Sequence, residues 1–160
     1  MKDKWNWILY VMEGDNKSDK WHNRYIGLAK YVAGWSEDPR KKVGAVIVKD
    51  NRVLSIGYNG LPAGVEALPE RLEKPLKLEY IVHGEMNAIL TAAKMGHGLE
   101  GSTIYCTFFP CPDCTKSIIQ SGIKQIVTFM PDEKSSWYGC SKISSIMMDE
   151  ANINLIIATE

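Results

Sequence analysis

The chain has 160 residues, 45% hydrophobic and 24% charged, the size and make-up of one globular domain with its own core. Nineteen basic residues balance nineteen acidic ones, for a formal net charge of +0. A long nucleic acid, whose phosphates call for a cationic face, is therefore not the expected partner. No run of 18 apolar residues offers a membrane span, and Met1 to Ile8 lacks the apolar core of an export signal. A reducing, cytoplasmic setting is expected, in which the four cysteines point to metal or redox chemistry and not to a disulfide framework.

One domain over residues 1–160 is expected, with about the first 18 residues peripheral. The cluster Gly14-Asp15-Asn16-Lys17-Ser18 breaks the chain, and Ser18 or Asp19 offers an N-cap. Trp21, Tyr25, Leu28 and Val32 then recur at helical spacing, which predicts a helix to about Gly34 with that stripe in the core. Pro39 disfavours helix at Asp38. The β-branched runs Val43 to Val48 and Arg52 to Tyr58, joined by Lys49-Asp50-Asn51, predict an antiparallel hairpin. Asn59 to Gly64 ends the second strand. Residues 65–82 are polar and long for a loop, with a short helix expected around Glu70 to Glu73. From there helix and strand alternate: helix Glu85 to Met95, strand Ser102 to Thr107, helix Pro112 to Ser121, strand Gln125 to Met130, helix Ser141 to Ala151, strand Ile153 to Ile157. Such alternation favours parallel pairing through crossover helices, so an α/β fold with a mixed five-stranded sheet is expected.

Two segments carry chemistry. His83-Gly84-Glu85 and Pro110-Cys111-Pro112-Asp113-Cys114 offer one imidazole and two thiolates, a good ligand set for Zn2+. Three protein ligands leave the fourth tetrahedral position for water, the mark of a catalytic ion. Read alone, Cys111 and Cys114 also fit a redox pair, or a structural site closed by Cys106. Glu85 is the acid/base candidate, because zinc brings the pKa of its water to about 7, within reach of a carboxylate. Cys111 and Cys114 fall at a predicted helix start, where free backbone N–H groups favour thiolate charge.

His-x-Glu followed by Pro-Cys-x-x-Cys is the signature of zinc deaminases that act on nucleobases. Further segments resemble the deoxycytidylate deaminases within the zinc-dependent cytidine/deoxycytidylate deaminase family. They are Ser36-Glu37-Asp38-Pro39 with Val43-Gly44-Ala45, Gly57 to Gly64, Glu85 to Ile89, Thr107 to Cys111, and Ile118 to Lys124. The resemblance runs from about Ser36 to about Phe129 and implies a three-layer α/β/α fold of the cytidine-deaminase type. It implies hydrolytic deamination of dCMP to dUMP, which supplies thymidylate synthesis. One catalytic Zn2+ would sit on His83, Cys111 and Cys114, with Glu85 moving the proton.

It further implies a homohexamer activated by dCTP and inhibited by dTTP, with Mg2+ accompanying the triphosphate. Gly57, Tyr58, Asn59 and Gly60 are the effector-site residues it suggests. For the substrate it suggests Asn59 and the Gly84 backbone, with Phe109 against the base and Ser36, Arg40 and Lys42 for the phosphate. Two departures stand out. Gly84 replaces the family's usual Ala, and residues 61–82 contain neither the Cys nor the His that would hold a second zinc.

Cys106 and Cys140 otherwise read as small apolar side chains, and His22 and His97 as surface or packing residues. Phe108 and Phe109 offer rings to stack on a base, and one of the two is expected to face the core. Competing functions are deamination of another cytosine, guanine or tRNA base, and a zinc-stabilised nucleotide-binding module without turnover.

Overall fold

The computed structural model describes residues 10–12 and 17–159. Its elements in chain order are β1 (Tyr10–Val11), α1 (Lys17–Ala33), β2 (Gly44–Lys49), β3 (Arg52–Tyr58), a 3-10 turn (Pro69–Leu72), α2 (Lys77–Tyr80), α3 (Gly84–Lys94), β4 (Thr103–Cys106), α4 (Pro112–Gln120), β5 (Gln125–Thr128), α5 (Tyr138–Glu150) and β6 (Asn154–Ile157). The five expected strands are present. The two-residue β1 joins them as a sixth, at one edge, from a stretch that carried no strand signal.

The sheet runs β1-β6-β5-β4-β2-β3. β1, β6, β5 and β4 are parallel, while β2 is antiparallel to both β4 and β3. The β4–β5 and β5–β6 steps follow from α4 and α5, which carry the chain back across one face. β2 and β3 close through Asp50 and Asn51, both at positive φ, so the turn is shorter by one residue than Lys49 to Asn51.

Strand residues alternate between two cores, as the pleat requires. Ala45, Ile47, Ile104, Cys106, Ile126, Leu155 and Ile157 face a core completed by α3, α4 and α5. Val46, Val48, Tyr105, Val127 and Ile156 face the other, covered by Tyr25, Ile26 and Ala29 of α1. These are the three layers.

Some local expectations change. α1 already includes Ser18 and Asp19, so neither is its N-cap, and Gly14 to Asn16 lie outside the described residues. Within the predicted stripe, Tyr25 and Val32 are buried, but Trp21 is exposed, stacked on Tyr25 at 5.9 Å under the Arg24 guanidinium. Ile26, Ala29 and Ala33 fill the core face instead. His22 packs, its Nδ1 2.9 Å from the Tyr105 hydroxyl, and His97 is exposed. The helix expected around Glu70 is the 3-10 turn, and α2 follows it. Among the described residues no helix is long and apolar enough to cross a membrane.

Candidate active site

The crossover topology brings the N-termini of α3 and α4 together beside β4. His83 is the N-cap residue of α3 and Cys111 that of α4, both with extended backbone. Pro112 occupies the first turn of α4, where its missing N–H costs nothing and its fixed φ suits the helix. Cys114 lies in the same turn. Both helices direct free N–H groups and the positive end of their dipoles to this point.

His83 Nδ1 lies 3.4 Å from Cys111 Sγ and 3.5 Å from Cys114 Sγ. All three ligand atoms fall within 4.8 Å of one another. A nitrogen about 2.0 Å and a sulfur about 2.3 Å from one centre, at a tetrahedral angle, lie roughly 3.5 Å apart. The donor set and its spacing therefore fit a zinc ion. Cys106 is buried and stands outside this group, and among the described residues no fourth cysteine closes it.

Electrostatics support one thiolate even without an ion. A hydrogen bond from the Cys114 thiol, aided by the Cys114 backbone N–H and by His83, outweighs burial and brings the Cys111 thiol down to about 4. The same shared hydrogen bond, with burial, pushes Cys114 up. Contact with Cys111 raises His83 although burial opposes it. Glu85, only 3% exposed, is raised chiefly by burial, while its own backbone N–H, the His83 charge and the Cys114 thiol favour its ionised form.

These groups open into a cavity of about 300 Å³. Of the residues expected at the substrate, Asn59, Gly84, Arg40 and Phe109 line it, whereas Ser36 and Lys42 do not. Ser36 is buried behind the wall. Its hydroxyl donates to the Asn59 carbonyl at 2.7 Å and accepts from the Asp38 N–H. Lys42 is exposed elsewhere, and the neighbouring Lys41 enters the cavity instead, its ammonium 3.9 Å from the centre of the Phe108 ring. The Asn59 side chain is committed to the wall itself. Its amide donates to Lys41 O at 2.8 Å and Asp38 Oδ2 at 3.2 Å, and its oxygen accepts from Val43 N at 2.7 Å. Phe109 belongs to the main core and is the buried member of its pair.

Sequence reasoning missed Asp38, Lys41, Lys74, Lys77 and Trp137 on the cavity wall, whereas Phe108, a stacking candidate, does line it. Asp38 pairs with Lys77 and accepts from the N–H groups of Arg40 and Lys41. Burial would raise its carboxyl, but Lys77 and those N–H groups outweigh it and hold it below the ordinary value. No motif marks residues 65–82. Only the fold shows that Lys74, Lys77, Leu78 and Ile81 reach the cavity wall, with the Gly60–Val82 bridge tying the ends of the segment.

A second cavity of about 200 Å³ shares Asp38 with the first. Tyr58 and Gly60 line it, Asn59 faces the first cavity, and Gly57 lines neither. Gly57 is where α3 approaches β3: a Cβ there would lie 2.3 Å from Ala88 N and Gly84 O.

A mixed sheet sandwiched by helices, with a His/Cys/Cys triad and a buried glutamate on two facing helix starts, is the architecture of a zinc deaminase. The family profile described as "Cytidine and deoxycytidylate deaminase zinc-binding region" matches residues 19–130, and the chain belongs to this family. It is 39% identical over 140 residues to an uncharacterized deaminase in the luxG 3' region of Aliivibrio fischeri, covering 85% of this chain and 92% of that one. It is 39% identical over 121 residues to the deoxycytidylate deaminase of Homo sapiens, covering 71% of this chain and 66% of that one. The crystal structure of dCMP deaminase from the cyanophage S-TIM5 in complex with dCMP and dUMP superposes with a TM-score of 0.72 at 26% identity, over 91% of this chain and 99% of that one. The fold is thus of the cytidine-deaminase type.

Proposed function

We propose that the chain is a single deaminase domain that hydrolyses dCMP to dUMP and ammonia. The observation that carries this is the buried Glu85 beside a metal-competent His83, Cys111 and Cys114, at a cavity with cations on its wall. The relatives named for this reaction support the choice of substrate.

His83, Cys111 and Cys114 would hold one zinc ion. Bound there, zinc would supply a Lewis acid that brings water to a pKa near 7. Glu85 takes a proton from the attacking water, delivers it to N3 of the cytosine, and passes a second to the departing amino group. Burial keeps this carboxylate out of bulk water, and its own N–H orients it. The Gly84 N–H, at the α3 N-terminus, is the donor for the base carbonyl. Phe109 packs against the base from the core side. Asn59 acts by holding the wall, and Arg40 stands near the phosphate.

Tyr58 and Gly60, with Gly57 and Asn59 behind them, suit an effector site at the second cavity for dCTP, with Mg2+, or dTTP. A homohexamer working in the cytoplasm completes the reading.

The decisive experiment combines zinc analysis with ammonia release from dCMP, CMP, cytidine and dCTP. One zinc per chain and preference for dCMP are expected, and zinc without release from any substrate rejects the proposal. Glu85→Ala should keep the zinc and lose roughly 10²–10⁴-fold in kcat. Sedimentation and saturation curves with and without dCTP test the effector reading. A monomer with hyperbolic kinetics, indifferent to both nucleotides, rejects it.

A further inference from the structure

Besides the metal triad and Glu85, the charged side chains on the main cavity wall are Asp38, Arg40, Lys41, Lys74 and Lys77. Two of the cations are committed, Lys77 to Asp38 and Arg40 to Glu73 at 2.8 Å. Lys41 lies on the Phe108 ring, a contact that leaves its charge uncompensated. Lys74 has no hydrogen bond, ion pair or ring contact among the described residues.

The backbone that carries Lys74 is nonetheless tethered on both sides. Glu73 before it and Lys77 after it are both pinned to the loop at Asp38 and Arg40. Lys41 is set from the other side, because its N–H donates to Asp38 Oδ1 and its carbonyl accepts from Asn59. In a chain whose charges balance overall, two uncompensated ammonium groups on one cavity match the near −2 charge of a phosphomonoester. A nucleoside, uncharged, gains nothing from them.

We propose that Lys74, together with Lys41, forms the anion subsite of this cavity, and that the pair makes the chain select a nucleoside monophosphate over the nucleoside. The proposal rests on the deaminase reading above and adds the residue of segment 61–82 that decides between phosphorylated and unphosphorylated substrate.

The test measures kcat and KM for dCMP and for deoxycytidine with the zinc-loaded wild type, Lys74→Ala, Lys41→Ala and Lys74→Arg. Titration with deoxyribose 5-phosphate, which carries the phosphate without the base, reads the subsite separately. Lys74→Ala is expected to lower the ratio of kcat/KM for dCMP to that for deoxycytidine by about tenfold or more, through KM. Lys41→Ala acts in the same direction, and Lys74→Arg keeps most of the ratio. Deoxyribose 5-phosphate binds the wild type and binds Lys74→Ala about tenfold more weakly. A ratio within about twofold of the wild type in both alanine variants overturns the subsite, and so does an equal loss on both substrates. If the wild type leaves dCMP intact, the deaminase reading falls. The sugar phosphate then decides alone: weaker binding to Lys74→Ala upholds the subsite, and equal binding overturns it.

Discussion

Gly84 shows how narrow the tolerances are at the scale of one residue. A Cβ at this position would lie 3.0 Å from Val43 O, 3.3 Å from Tyr58 Cα and 3.4 Å from Asn59 N. All three are backbone atoms and cannot swing aside. Gly84→Ala gains helix propensity of roughly 0.5–1 kcal/mol, against an overpacking cost of about 1–3 kcal/mol. The net expectation is a loss of about 1 kcal/mol of stability, read as a lower Tm. Because the displaced turn carries Glu85, kcat should fall more than KM rises.

The residues that coordination chemistry demands were legible in the sequence, since few side chains other than His83, Cys111 and Cys114 can serve. The residues that depend on the path of a loop were not. Which of Arg40, Lys41 and Lys42 enters the cavity is decided by the hydrogen bonds of Asp38 and Asn59 to the Lys41 backbone. No property of a lysine side chain announces that.

At the scale of elements, the helices and strands after Gly84 lie within a few residues of where periodicity and glycine stops put them, because each buries an apolar face. The exceptions are short or secured by partners distant in sequence. β1 exists only through its pairing with β6, and α2 through its place over the cavity. Trp21 has the right spacing for the core but lies exposed against Tyr25, under the Arg24 guanidinium.

The β2–β3 hairpin offers a test at this level. Asp50 and Asn51 sit at φ of 51° and 57°, a conformation that L residues reach at a cost and glycine reaches freely. Tyr25 donates its hydroxyl to the Asn51 carbonyl, a contact that survives loss of the side chain. Asn51→Gly should therefore stabilise the chain by about 0.5 kcal/mol, seen as an upward shift of the chemical-denaturation midpoint without change in its slope.

The whole molecule should also respond to pH through its packing. Burial holds His22 below its ordinary value of 6.5, though Asp19 opposes the shift. The unfolded chain therefore takes up the proton first. His22 stabilises the fold fully above 6.5, and that contribution is lost progressively as pH falls from there to the lowered folded value. Asp38 acts in the same sense at lower pH. Its folded value is depressed, so its contribution is present above the unfolded value of 3.8 and is lost as pH falls through the folded one. Calorimetric Tm values measured from about pH 8 to 5 should decline for the wild type. His22→Gln, which keeps a hydrogen-bonding partner for Tyr105, should flatten that decline, and identical profiles would reject the assignment.

The placement of the metal ligands also orders events in time. His83 precedes β4 and the two cysteines follow it, and β4 must pair with β2 from much earlier in the chain. The β2–β3 hairpin closes between neighbours, whereas the β2–β4 ladder spans a long stretch of sequence, and contacts of that kind form slowly. A triad able to grip an ion tightly therefore does not exist until the central ladder has closed. The chain is expected to fold as a scaffold first and to take up zinc tightly only afterwards. Tight zinc uptake, followed during refolding, would serve as a clock for the last stage of assembly.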